Sequence, residues 1–392
     1  MNAIELLDII SAGETSKVQF KQELDDDKIT AEMIAMSNSK GGIIIVGVND
    51  ETGEVTGLSF EQLQSYNNRL ANIANDKVKP QIFIDTEVVS VDIKSDDKRK
   101  VLIITVLEGI NKPYKDKNGT IWVKQGSDKR RLIDNNEIMR LFQQSGNLLA
   151  DEMEVYGTNI NDLDNQSFAD YFKKEFKESY EEKGLTYEQA LKAKKVLVND
   201  QLSLAGLLFF GKYPQNIKPA FTIKAVSFFG NELSGDNYRS KPEDLKGTIP
   251  QLFKKGIDFL NGNLRHLQKG QDFNSIGILE ISEQALIEVL QNALIHRDYF
   301  KNAPVRLLIF DNRVEIISPG TLPNSLTVED IKYGNPVIRN NQLAMFCSHT
   351  LPYSGLGSGL KRALAVQPNI ELINDKSGEQ FIVKIPRLSD QW

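Results

Sequence analysis

The 392-residue sequence contains a single cysteine, Cys347. One thiol excludes an internal disulfide and a cysteine-ligated zinc site, and it fits a reducing compartment. No stretch approaches the roughly 20 consecutive apolar residues of a membrane span. The opening MNAIELLDIISAGETS lacks the basic start and long apolar core of a signal peptide, so a cytoplasmic location is expected. Positive charge is not in excess either: 47 Lys and Arg face 53 Asp and Glu, for a net charge of −6. The chain as a whole is therefore not a basic nucleic-acid binder, and only local basic patches could serve that purpose. There is no internal repeat and no low-complexity tract. What remains is an ordinary globular composition, 40% hydrophobic and 26% charged, long enough for two or three domains with their own cores.

Chemistry concentrates in three pieces of the C-terminal half. Leu286, Val289, Leu290, Ala293 and Leu294 recur at helical spacing and predict an amphipathic helix from about residue 282 to 295. Glu288 and Asn292 lie four apart, on one face and one turn from each other. A carboxylate above a carboxamide suits Mg-dependent phosphate chemistry, the acid acting on a water and the amide oxygen serving as a hard ligand for Mg. The same pair would also suit a solvated helix face. Val305–Asp311 and Val314–Ser318 read as a hairpin turning near Asn312–Arg313 and running into Ser318-Pro319-Gly320. Downstream, Gly355-Leu356-Gly357-Ser358-Gly359 precedes a helical LKRALAV. Alternate glycines ahead of a helix let backbone amides approach phosphates, with the helix N-terminus favouring negative charge.

The N-terminal 140 residues alternate short helices and strands, among them the almost wholly apolar Ile43–Val48 behind Gly41-Gly42 and strands at 80–85, 87–91 and 101–106. They predict an α+β domain. Lys112, Lys115, Lys117, Lys124, Lys129, Arg130 and Arg131 fall within 20 residues, with Tyr114 and Trp122 interleaved. Such loops can neutralise phosphates while an aromatic stacks on a base; a solvated hairpin with Trp122 turned inward is the alternative.

Two resemblances follow. Glu14, Phe20, Lys21, Ser37, Asn38, Gly41, Gly42, Gly47, Val48, Asp50 and the VKQGS at 123–127 resemble the Schlafen AlbA-type domain, also called divergent AAA-4, over most of residues 10–145. The stretches NALIHRDY, FDNRVEIISPGTLP and GSGL resemble the divergent GHKL-like ATPase domain found behind such AlbA domains, a group whose members carry helicase-related or transcription-regulator labels; gyrase and the histidine kinases have the parent fold. The second resemblance implies Glu288 as general base, Asn292 as Mg ligand, and Gly355, Gly357, Ser358 and Gly359 as phosphate loop. Ser318 would stand where GHKL proteins usually carry an adenine-binding aspartate, with Gly320 beside it. The first implies nucleic-acid contact, DNA or RNA, through Lys21, Lys124, Lys129, Arg130 and Arg131. In some Schlafens it also implies RNA cleavage by clustered carboxylates. Here Gln19 and Asn49 occupy two carboxylate places, leaving Glu14, Glu23 and Asp50 as a nuclease remnant. His296, Arg297 and Asp298 also match, and would otherwise read as a polar cap complementing the helix dipole.

Between the two lies charged helical sequence. The expected organisation is an AlbA-type domain over 1–145, a helical connector over 146–200 and a GHKL-like α/β sandwich over 201–392. Gly206–Tyr213 nearly matches a P-loop, but Tyr213 replaces the required hydroxyl after Lys212 and the intervening LLFF is apolar; no helicase motor is expected. Nor is a winged-helix module expected beyond Pro386. The reading is an ATP-Mg-binding, nucleic-acid-associated switch. By analogy it would be a homo-oligomer with a possible partner protein and a prokaryotic regulatory or phage-defence role. The alternatives are an ATP-gated, metal-dependent ribonuclease and a nucleotide-free scaffold.

Overall fold

A computed structural model describes all residues except 95–96, 234, 269–276, 324–325, 335–337, 356 and 388–392. Leu356, within the glycine loop, thus lies outside the described residues. The chain divides into two compact units, Met1–Leu148 and Leu149–Trp392.

The first unit runs α1 (Ala3–Ala12), β1 (Val18–Lys21), α2 (Asp26–Asn38), β2 (Gly42–Val46), α3 (Phe60–Asn72), β3 (Ile84–Lys94), β4 (Asp97–Val106), β5 (Trp122–Gln125), β6 (Asp128–Arg131) and α4 (Asn135–Gln144). Its sheet has the order β1-β2-β4-β3, with β1 and β2 parallel and the other pairs antiparallel. Side chains alternate across a strand. Ile44, Val46, Leu102 and Ile104 therefore pack with Ile29, Met33, Leu63 and Leu70 of α2 and α3. Ile45, Val101 and Ile103 pack with Leu6 and Ile10 of α1 on the other face. Burial on both sides explains why β2 is apolar throughout. Of the two expected strands, residues 80–83 are not strand, and from Ile84 the chain runs on through 87–91 as one long strand, β3, because nothing there interrupts the ladder to β4.

The second unit runs α5 (Asn165–Phe176), α6 (Tyr187–Ala193), α7 (Leu204–Phe210), β7 (Ile223–Phe228), β8 (Tyr238–Ser240), α8 (Ile249–Asn263), α9 (Glu283–Ile295), β9 (Val305–Ile309), β10 (Arg313–Pro319), α10 (Asn341–Thr350), α11 (Gly359–Val366), β11 (Glu371–Asp375) and β12 (Gln380–Pro386), with shorter turns between. The six-stranded sheet has the order β8-β7-β9-β10-β12-β11. β7 and β9 are parallel, whereas β9, β10, β12 and β11 are antiparallel neighbours. The two units together make an α+β fold, as the sequence predicts. Helix α8 begins at Ile249, where Thr248 and Gln251 form a capping box with Pro250 in the first turn. Residues 150–210 contribute Leu163, Phe168, Phe172, Leu191 and Phe210 to the same core as α9 and the sheet. The near-P-loop is α7, buried throughout, with Lys212 donating from Nζ to the Asn161 carbonyl at 2.8 Å; no amide-lined phosphate loop exists there.

Candidate functional site

Helix α9 has the predicted period, and the burial of Leu286, Leu290 and Leu294 turns Glu288, Asn292 and His296 toward a cleft. Counting its open mouth, the cleft holds about 1070 Å³. Glu288, Asn292, Ser318, Gly320, Gly355, Gly357 and Gly359 all line it, with Val289, Ile316, Leu322 and Val383 supplying apolar wall. The three stretches singled out in the sequence therefore meet in one place. Gly359 approaches this face closely: a methyl there would sit 2.6 Å from Glu288 Oε2 and 3.5 Å from the Asn292 side-chain nitrogen, so the carboxylate end would have to turn aside. This is the contact that seats the glycine loop on the acid-and-amide face of α9.

Glu288 is not free. Its carboxylate accepts from Arg362 Nε at 2.7 Å, and a second guanidinium nitrogen lies 2.7 Å away. Arg362 also donates from Nη1 to Ser358 Oγ at 2.6 Å and reaches Ser354 Oγ at 3.4 Å. Arg362 sits in the LKRALAV stretch. Its role was illegible there because its partner is 74 residues upstream.

Ser318 is buried and donates its only proton to the Ala293 carbonyl at 3.0 Å. What its oxygen has left are acceptor lone pairs. Gly320 has φ +98°, and a methyl there would come 2.4 Å from Asp298 Cβ; glycine here closes the β10 exit against the end of α9. That end is capped by Asn340, whose side-chain nitrogen donates to the Ile295 and Arg297 carbonyls at 2.7 and 2.9 Å. The expected cationic cap takes a different form. Burial and the Arg339 charge push His296 down to about 4, so its imidazole is neutral at pH 7. Its Nε2 lies 3.2 Å from the Tyr353 hydroxyl. Arg297 is buried between the rings of Phe221 and Tyr299, 4.7 Å from each centroid, and donates to the Lys301 and Ala303 carbonyls. Asp298 caps the following turn through the Phe300 amide.

In the first unit, Glu14 and Asp50 do converge, but on a cation: Lys21 Nζ lies 3.9 Å from Glu14 Oε1 and 3.7 Å from Asp50 Oδ2. Glu14 also accepts the Phe20 amide at 2.7 Å. Glu23 is exposed and stands outside this pair. No group of three or more His, Cys, Asp or Glu among the described residues could hold a metal. Asn49 is a turn residue whose side-chain oxygen accepts the Glu51 and Thr52 amides. Gln19 is buried and its amide nitrogen donates to the carbonyls of Thr15, Val18 and Ser127 at 3.3, 3.0 and 2.8 Å. A carboxylate at 19 would face three carbonyl oxygens. Gln19→Glu should therefore lose about 1–3 kcal/mol of stability at pH 7, read as a lower urea midpoint of the first unit. An unchanged midpoint would mean that the site accepts an acid.

The predicted basic patch is largely spoken for. Lys124 and Lys129 both pair with Glu32, at 2.7 and 2.8 Å, and Glu32 is fully buried. Arg130 pairs with Glu137 at 2.6 Å, and Arg131 lies over the Trp122 ring at 5.2 Å. Asn38 locks this hairpin to α2, donating to the Tyr114 and Trp122 carbonyls.

The two units thus define an α+β domain with a pinned basic hairpin, followed by a helix-and-glycine-loop cleft of ATPase type. Comparison with known families agrees. Residues 14–133 match the family described as "Schlafen, AlbA_2", and residues 302–376 match HATPase_c_4, described as "Putative ATP-dependent DNA helicase recG C-terminal". The chain is a fusion of these two domain types. Residues 139–223, between them, match a domain of unknown function. Glu288 and Asn292 precede the second matched segment. No curated protein matches the chain. Among solved structures, the DIP2311 protein of Corynebacterium diphtheriae is 21% identical, covering 98% of this chain and 69% of its own, with a TM-score of 0.45. No helix among the described residues is long and apolar enough to cross a membrane.

Proposed function

We propose that the second unit binds ATP with Mg, and that the chain is a nucleic-acid-associated switch whose shape or assembly state responds to that nucleotide. The convergence of Glu288, Asn292 and the glycine loop on one cleft carries the reading. The residues fit the ligand in three respects. Gly355 and Gly357 have φ of +67° and +70°, and the first turn of α11 has no side-chain cap, which suits phosphate oxygens. Asn292 offers an amide oxygen that would hold Mg together with those phosphates; Mg would there neutralise phosphate charge. Ser318, its proton committed to Ala293, offers an acceptor to an exocyclic amine, the same polarity as the aspartate it replaces.

Equilibrium binding of labelled ATP, with and without Mg, tests this. Wild type should bind in an Mg-dependent way and Asn292→Ala should weaken binding at least about tenfold. Failure of the wild type to bind would leave the nucleotide-free scaffold reading, which the occupied Glu288 favours.

Nucleic-acid association rests on the Schlafen-type domain, with Lys115, Lys117 and Arg131 as the exposed cations of the basic stretch, since Lys21 and Arg130 are paired with acids. A ribonuclease built on Glu14 and Asp50 has less support, since Gln19 is held as an amide donor. If cleavage is nevertheless detected and lost in Glu14→Ala, that second reading stands.

A further inference from the structure

We infer that Arg362 is a phosphate-responsive latch on Glu288, an inference that rests on the nucleotide reading above and deepens it. Three observations carry it. Arg362 lines the cleft and its side chain is 35% exposed, whereas its partner Glu288 is 7% exposed; the movable end of the pair is the cation. The guanidinium lies between the hydroxyls of Ser354 and Ser358, which flank the glycines at 355 and 357. Lastly, Glu288 Oε1 already takes two guanidinium contacts while Oε2 faces Gly359. A carboxylate held in this way has Oε1 committed to the cation and its orientation fixed by that pair.

A phosphate group entering the loop would meet this guanidinium, and arginine binds phosphate and carboxylate in the same forked geometry. The two anions compete for one cation. When phosphate wins, Glu288 is released toward the cleft. With the site empty, Glu288 stays paired. The latch thus ties the freedom of the acid to the presence of phosphate.

The test is a double-mutant cycle on the full-length protein, read as ATP affinity rather than turnover. Arg362→Ala should weaken binding about 10–100-fold. Glu288→Gln, which removes the competing charge and keeps the shape, should tighten it about 3–10-fold. In Arg362→Ala/Glu288→Gln, which also spares the fold an unpaired buried acid, the gain from Glu288→Gln should vanish. Simple repulsion between Glu288 and phosphate predicts instead that the gain persists without Arg362, and that result would overturn the latch. So would wild-type ATP binding that neither single substitution alters, which makes Arg362 a structural ion pair. Absence of ATP binding by the wild type, with Asn292→Ala indistinguishable from it, would instead bring down the underlying nucleotide reading and the latch with it.

Discussion

Glu32→Ala should destabilise the first unit by about 3–5 kcal/mol, because it strands a buried ammonium. The Lys124 side chain is only 2% exposed, and Glu32 is its sole anionic partner among the described residues. Its other contact is the Ser127 carbonyl at 2.6 Å. Lys129 completes the triad from a position 24% exposed and can turn to water when the acid is gone. Lys129→Ala should therefore cost far less, about 1 kcal/mol. The measurement is urea unfolding in a Trp392→Phe background. The chain has two tryptophans, and Trp122 then reports alone from β5, beside the triad. Equal effects of the two substitutions would show that the pair is solvated. The same triad bears on nucleic-acid binding. A lysine already neutralised by a buried acid releases no counterion from phosphate, so Lys124→Met should leave the slope of log affinity against log salt unchanged. An exposed contributor such as Arg131 should lower that slope by about one.

The contrast between α9 and this triad marks what sequence can deliver. The α9 face is legible because its evidence is local: the apolar positions at period 3.6 fix the helix and its buried side, and the four-residue spacing of Glu288 and Asn292 puts both on the flank that lines the cleft. The glycine loop was legible because alternate glycines before a helix are rare without a reason. Lys124 and Lys129 looked like phosphate contacts since their anion, Glu32, lies 92 and 97 residues away on another element, and no periodicity reports on a partner at that distance. Arg362 was hidden in the same way. Gln19 and Ser318 looked like losses from a family pattern. Their surroundings show them as donors matched to carbonyls, Gln19 to three and Ser318 to Ala293. Composition could not show this, because hydrogen-bond polarity at a buried site depends on what the fold brings opposite it.

Asp151 gives the second large effect, and it should appear as a pH dependence. Its carboxylate is fully buried and accepts the Gln342 and Leu343 amides at 2.8 and 3.0 Å, capping α10 from a residue about 190 positions upstream. Burial raises its pKa from 3.8 to about 6, with the two amide bonds pulling the other way. Because the folded value lies above the unfolded one, the folded state holds the proton more tightly. The contribution to stability is then complete below about pH 3.8 and is lost as pH rises through about 6. At about 1.4 kcal/mol per pH unit, this amounts to about 3 kcal/mol across the window. Asp151→Asn cannot titrate but keeps an oxygen for both amides, so the stability difference between wild type and Asp151→Asn should shift by about that amount between pH 4 and pH 7, in favour of the variant at the higher pH. Asp151→Ala has neither the titration nor the cap. At pH 4, where the wild-type acid is neutral, it should fall below Asp151→Asn by about 1–2 kcal/mol. Parallel pH curves for wild type and Asp151→Asn would mean that the α10 N-terminus stabilises the charged form enough to cancel the effect of burial, and that Asp151 remains ionised across the range.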